Sequence, residues 1–482
     1  MKRIFSIVLV VLTTTACEDV LIEAPKSLAV ETFYNTNAEV EAALAAIYQP
    51  LRSDNALGGL YPAQLEAYTD YGYGRGSYAI LSSFQGLDGN NEGRIQSMWN
   101  LFYLSIRNAN IVIANVPDGE SLTEESKQKY IAEARFMRAL VYFIMVRNWG
   151  GVPIRTEANM METEIKRNTA EEVYQLIFED LDFAEKNLPD DIALPGKPAK
   201  MAAKTVLADV YFFRREYAQA RDKALEVINS GKYDLVPVST SEDFEKLYGA
   251  SVVTTSEEVF YLKYSHLGSG QGWWYVQFLH HPGTGLFGGG GFYAHYSDIA
   301  KNKVLAGMDK DDQRLGLWYN WNIGLGSTTI LNKKFSDPDA AGSGATAGND
   351  FPLYRYADVL LLYAEADARA SGNITNAALE SINKVHRRAF GRDHTSVSDV
   401  DFKKEDYTLD SFIELVITER GYETQMEGKR WLDLKRTGQV KERIKEATGI
   451  DVADKHLLWP IPPSELNFNS LIDPTNDQNP GY

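Results

Sequence analysis

The sequence predicts a mainly α fold: a scaffold of packed helix pairs with long loop-rich insertions and a few short strands. Three observations predict it. Apolar residues recur at helical spacing over long stretches on both sides of the middle of the chain. Two of these stretches, 201–230 and 364–389, break at Arg215 and at Gly372, so each reads as two helices folded together. Between Gly231 and Phe351 the pattern changes to short alternating runs and glycine-rich loops.

Taken in order, Phe33-Tyr-Asn-Thr36 precedes a helix over about 38–51, with Val40, Leu44 and Ile47 on one stripe. Residues 54–91 read as loop, with Tyr, Gly and Arg crowded between Tyr68 and Tyr78. A second helix spans about 96–114 on Trp99, Phe102, Tyr103, Ile106 and Ile113. The third begins near Thr123, where Glu124 and Glu125 suit a first turn. From Ala139 to Val146 nearly every side chain is apolar, so this helix is buried on most sides. Gly150-Gly151 ends it, because glycine accepts the left-handed conformation just past a helix, and Pro153 keeps it from resuming. Thr169-Ala-Glu-Glu172 opens the next helix with a capping box, and it runs to about Asn187.

In 201–230, small Ala208 precedes Tyr211, and Ala220 and Ala224 follow the turn. The pattern resembles one tetratricopeptide unit, in which small residues let two helices pack closely, and 364–389 resembles a second. Their separation is too irregular for a regular solenoid. In the middle region, Glu258-Val-Phe-Tyr-Leu-Lys263 alternates as a strand. A short helix is expected at about Ile299, and 336–349 reads as an exposed loop.

The 482 residues can bury a large core, and a net charge of -17 argues against a nucleic-acid backbone as partner. The only cysteine is Cys17, so no internal disulfide can form. Lys2-Arg3, then an apolar run from Ile4 to Leu12, then small residues up to Ala16, form a leader too short to span a bilayer. The arrangement reads as a lipoprotein signal peptide over 1–16, with the lipid carried by Cys17. Thr14 departs from the larger aliphatic residue usual in that motif. Loss of Lys2 and Arg3 takes the charge from -17 to about -19.

The run Glu133-Ala-Arg-Phe-Met-Arg138-Ala, the aromatic turn after it, and Arg147-Asn-Trp-Gly-Gly-Val-Pro153 resemble the signature helix of the SusD/RagB family. Further matches are Arg355-Tyr-Ala-Asp-Val-Leu-Leu-Leu-Tyr-Ala-Glu365, Ile382-Asn-Lys-Val-His-Arg-Arg388, Glu427-Gly-Lys-Arg-Trp-Leu-Asp-Leu-Lys-Arg436, and the ending from Leu458 to Tyr482. Gly421 stands where the family commonly has a basic residue, which puts a local ion pair in doubt. Arg430 and Asp433, three apart, are spaced to pair on a helix. The resemblance implies a SusD-like helical scaffold over about 30–230 and 352–440 within one domain, 17–482. It also implies a ligand-facing insertion over about 231–351 and a closing extended segment over about 450–482.

It implies further a surface-exposed outer-membrane lipoprotein that captures an oligosaccharide for a SusC-like TonB-dependent transporter. No catalysis, cofactor or nucleic acid is expected. A RagB-like peptide-binding protein is the alternative within the family. A glycan hydrolase or lyase, and a helical scaffold with only protein partners, are the alternatives from other classes.

The residues themselves offer no convincing active site. His280-His281 lacks a carboxylate or cysteine at ligand spacing, so no metal is expected. Asp309-Lys-Asp-Asp312 lacks the later positions of a calcium loop. What stands out is aromatic residues in glycine-rich loops. A sugar face stacks on an aromatic ring, and its hydroxyls need polar groups at the ring's edge. The candidate ligand residues are therefore Tyr71, Tyr73, Arg75 and Tyr78, Trp273 and Trp274, and Trp318 and Trp321.

Overall fold

The computed structural model describes residues 33–192, 194–268, 270–340 and 346–482. Helix α1 (Asn37–Arg52) opens on a capping box between Thr36 and Glu39. The short α2 (Leu60–Glu66) follows, with all seven residues buried. It lies within 54–91, the stretch that reads as loop-rich in the sequence. Helix α3 (Gly89–Asn115) starts earlier than its apolar stripe, because Asp88 accepts from Asn91 N and caps a polar first turn.

Helix α4 (Glu124–Trp149) is the centre of the scaffold. Thr123 caps it, Gly150 at φ 73° ends it, and nearly every residue from Tyr130 onward is buried. It packs on α3 and on α5 (Ala170–Asn187), which has its own capping box from Thr169 and Glu172. Helices α6 (Lys200–Phe213) and α7 (Tyr217–Asn229) form one pair, and α8 (Tyr356–Ser371) and α9 (Asn376–Ala389) the other. The turns sit on Arg215 and Gly372, both at φ 64°. Helix α8 packs on α7, so two pairs far apart in sequence become neighbours. Helices α10 (Leu409–Glu423), α11 (Arg430–Thr437) and α12 (Val440–Thr448) complete the scaffold. Among the described residues, no helix is long and apolar enough to cross a membrane.

The region 231–351 holds most of the strands. An antiparallel sheet runs in the order β1 (Tyr73–Gly74), β3 (His295–Asp298), β5 (Thr329–Asn332), β4 (Trp318–Asn320). Strand β2 (Glu258–Leu262) pairs antiparallel with β6 (Phe351–Arg355). The helix expected at Ile299 is instead the turn out of β3, and a single helical turn follows at Lys303–Ala306, capped by Asn302. The expected exposed loop 336–349 is anchored at both ends. Buried Asp337 accepts from Gly348 N at 2.7 Å, and buried Asn349 donates to Tyr248 O and Ser336 O.

A fully buried charge cluster joins the insertion to the scaffold. Arg355 reaches Glu257, Glu423 and Glu427 at 3.2, 2.9 and 2.7 Å. Arg388 reaches Glu257 and Glu423 at 2.7 and 2.5 Å, and Lys334 reaches Glu427 at 2.5 Å. Arg314 binds Asp312, Glu419 and Glu423 at 2.6, 2.8 and 3.3 Å. Burial pushes the Glu423 carboxyl up, but Arg388, Arg355 and Arg314 outweigh it and hold the group at about 2.

Arg430 does not pair with Asp433. It binds Asp70 at 2.6 Å, while Asp433 is taken by Arg436 at 2.7 Å and Arg420 at 3.1 Å. Gly421 makes room for this: a Cβ there would lie 2.8 Å from the Arg430 guanidinium. On α4, buried Arg138 binds Asp180 through two bonds of 2.7 and 2.8 Å, Glu157 at 2.5 Å and Asn110 at 2.7 Å. The C-terminal segment closes over the end of α4. Trp149 Nε1 donates to Pro460 O at 3.0 Å, and its ring meets Trp459 edge-on at 4.8 Å.

Two outcomes follow. Arg138→Ala strands a buried aspartate, which costs about 3–5 kcal/mol. Urea unfolding is expected to show that loss with no change in ligand affinity. Acid is the second probe. Glu423 titrates at about 2 in the fold against 4.5 ordinarily, so the unfolded chain binds the proton first. The stability Glu423 supplies is complete above pH 4.5 and is lost as pH falls from there towards 2. Glu423→Gln should therefore flatten the fall in chemical stability across that window.

Candidate functional site

The four-stranded sheet has two faces, because side chains alternate along a strand. The inner face carries His295, Ser297 and Trp318, all buried. The outer face carries Tyr73 and Tyr296, directly opposed across β1 and β3 with ring centroids 5.6 Å apart. Beyond the strand end, Arg75 N donates to Ala294 O at 2.7 Å, and the Arg75 guanidinium lies 3.9 Å over the Tyr293 ring. Tyr293 in turn meets His281 at 4.5 Å, and His281 meets Trp321 at 5.7 Å. A half-exposed strip therefore runs Trp321, His281, Tyr293, Arg75, Tyr296, Tyr73.

Glycines shape this strip. A Cβ on Gly291 would lie 2.3 Å from His280 O, and Gly291 sits at φ 81°. The turn leads into Tyr293, held at φ 40° by its N–H bond to His280 O. A non-glycine residue in that conformation is strained, and such strain gathers at working surfaces. Gly283 donates to His281 Nδ1 at 3.1 Å, which leaves the proton of the neutral ring on Nε2. Beside the strip, Tyr73, Tyr296 and Lys301 line an open cleft of about 520 Å³ against Ser82 and Thr448. Burial raises the Tyr296 phenol and the Asp298 charge adds to the rise, with the Lys301 and Arg75 charges acting against it.

The eight candidate ligand residues divide. Tyr73, Arg75 and Trp321 lie on the strip. Half-buried Trp274 lies near it, packed on Phe278 at 4.8 Å and on half-exposed Phe292 at 5.8 Å. The other four are core residues. Trp273 has no accessible surface; Phe351 stacks on it at 5.1 Å and Phe335 meets it edge-on at 4.8 Å. Tyr71 is equally enclosed, donating to Glu66 and accepting from Met426 N. Tyr78 is walled in by Phe278 and His295, with Arg94 over its ring. Trp318 turns inward and donates to Gln425 Oε1 at 2.7 Å. Rings buried this deeply offer no face to a sugar, so these four are corrected to core.

Tyr293, His281 and Tyr296 were missed. Phe292-Tyr293 directly follows four glycines, so the criterion of aromatics in glycine-rich loops already pointed there. His280 and His281 point apart. His280 is buried with Nε2 2.6 Å from Phe335 O, and burial lowers it to about 4. Among the described residues no group of three or more His, Cys, Asp or Glu could hold a metal ion. Cys17 lies outside the described residues.

Comparison with known proteins bears on both ends of the chain. A family described as "Starch-binding associating with outer membrane" matches residues 26–212, and one described as "SusD family" matches 322–482. The chain is 27% identical to SusD-like protein P2 of Formosa agariphila, over the full length of both. Its fold matches that of a SusD homolog from Bacteroides thetaiotaomicron with a TM-score of 0.80 at 22% identity, over 94% of this chain and 98% of that one. It also matches a laminarin-binding SusD-like protein with a TM-score of 0.73 at 21% identity, over 93% of this chain and all of that one. Both helical parts of the scaffold are thus matched in sequence by SusD family models, and nearly the whole chain has the fold of SusD-like structures.

Proposed function

We propose that the protein captures an oligosaccharide at the cell surface and passes it to a SusC-like TonB-dependent transporter, tethered to the outer membrane by a lipid on Cys17. The observation that carries this reading is the half-exposed strip from Trp321 to Tyr73. Its aromatic faces suit the C–H faces of successive sugar rings, and its Arg, His and Tyr edges suit hydroxyls. The laminarin-binding neighbour and the starch-binding description of the matched family support a carbohydrate ligand.

In this reading Trp321, Tyr293 and Tyr73 stack, Arg75 and His281 donate hydrogen bonds, and Trp274 with Phe292 extends the platform. The work done is binding and release, with no bond broken. Each aromatic contact adds about 0.5–1.5 kcal/mol beyond area burial. Flexible sugars lose entropy on docking, so affinity should be about micromolar. Such a site releases its cargo readily to a transporter.

Calorimetry with laminarin, starch and acidic oligosaccharides tests the platform. Trp321→Ala should weaken binding roughly tenfold with an unchanged melting temperature. Trp273→Ala should behave in the opposite way, losing about 3–5 kcal/mol of stability because it hollows the core. Unchanged affinity in Trp321→Ala and in Tyr293→Ala would remove the strip as the site. The anchor has its own test: Cys17→Ala should move the protein out of the outer-membrane fraction, and a variant that stays there would refute lipidation at Cys17.

A further inference from the structure

We propose that the glycan is acidic, and that Arg75 binds its carboxylate or sulfate group. This rests on the reading that the strip binds a glycan, and it names the chemical class. In this chain arginine is generally a partnered residue. Arg138, Arg314, Arg355, Arg388, Arg430 and Arg436 all hold carboxylates in the interior. Arg75 differs. Among the described residues its guanidinium enters no ion pair and no side-chain hydrogen bond, although acids outnumber bases in the sequence by 66 to 49.

Nor is Arg75 a loose surface side chain. Its N–H is fixed to Ala294 O at 2.7 Å and its carbonyl accepts from Tyr78 N at 3.2 Å. The residue before it, Gly74, has no room for a Cβ, which would lie 2.4 Å from Tyr78 O. The guanidinium then lies on Tyr293 at 3.9 Å. Stacking occupies one face of the plane and leaves the N–H donors at its edge without a protein acceptor. A planar fork held this way suits the two oxygens of a carboxylate or sulfate, and a charge-assisted pair is about twice as strong as a neutral hydrogen bond.

The neighbours agree with this assignment. The groups along the strip are aromatic or basic, and Lys301 stands at the mouth of the adjoining cleft. One carboxylate borders the strip: Asp298, two residues beyond Tyr296 on β3, accepts from Ala300 N and lies 3.4 Å from Lys301, whose charge offsets it. A chain of charge -17 repels polyanions at long range, so binding one requires such a local cation.

The experiment measures affinity of the mature protein for oligogalacturonate, for a sulfated galactan oligosaccharide and for a neutral laminarin oligosaccharide. Wild type, Arg75→Gln, Arg75→Lys and Trp321→Ala are compared, with melting temperatures as a control for folding. The expected result is that one acidic ligand binds about tenfold or more tightly than the neutral one. Which of the two does so separates carboxylate from sulfate. Arg75→Gln keeps a planar donor and loses the charge, so it should weaken the acidic ligand about tenfold more than the neutral one and so erase that preference. Arg75→Lys should keep part of the preference. Neutral binding equal to or tighter than both acidic arms, or an Arg75→Gln loss of the same size for all three ligands, overturns the proposal. If Trp321→Ala still weakens the neutral ligand in that case, the glycan-binding face stands without its acidic ligand. If Trp321→Ala also changes nothing, both readings fail.

Discussion

The buried cluster around Arg355 and Glu423 is the constraint on which the rest of the structure depends. Its cations come from the insertion, from β6 and from α9, and its carboxylates come from Glu257 just before β2, from Asp312 in the insertion, from α10 and from the loop after α10. Ion pairs out of water gain little net stability over well-packed apolar residues, yet a charge left unmatched there is very costly. The cluster therefore acts chiefly on registry. If β6 slips by one residue, or α9 turns, several charges lose their partners at once. That requirement fixes where the loop-rich middle of the chain sits on the helical scaffold, and through it where the sheet and its outer face stand.

The proposed ligand face follows from that placement. The inner side of the sheet is filled by Trp318 and His295 against Tyr71 and Tyr78. The outer side is left with alternate residues of the same short strands, so one aromatic-rich segment supplies both core and surface. Glycine decides the finer geometry. Gly283 lets the Trp321 ring come down on the loop, since a Cβ there would sit 3.0 Å from Cζ2, and Gly59 does the same beneath Trp274 at 2.5 Å. The platform is rigid because its rings rest on backbone that has no side chain to intervene.

The helices could be read from the sequence wherever the signal was local. Thr169 with Glu172, Gly150 after Trp149 and Gly372 between α8 and α9 are local signals, and each element stands where they put it. Helix α2 had no polar face to give a period, and its proline pointed the other way. The partners of the buried charges were invisible for a different reason. Arg430 meets an aspartate 360 residues earlier in the chain, while Asp433, at the obvious spacing, is used by Arg420 and Arg436. Aromatic residues near glycine led to the region of the proposed strip, but the rule does not say which face of a two-residue strand is wet. Half of the candidate residues were therefore core, and Tyr293 beside them was overlooked.

The seal over Trp149 has a consequence for how the chain is made. The central helix is translated in the first third of synthesis, but its tryptophan end is covered by Trp459 and Pro460, and Asn479 donates to Trp149 O across 330 residues. Contacts this distant form late, because the loop they close must be ordered first. While the rest of the chain is being made, the ring of Trp149 has Trp99 and Phe102 beside it, but the side that Trp459 covers stays open. That end of the scaffold can therefore close only when the last two dozen residues arrive.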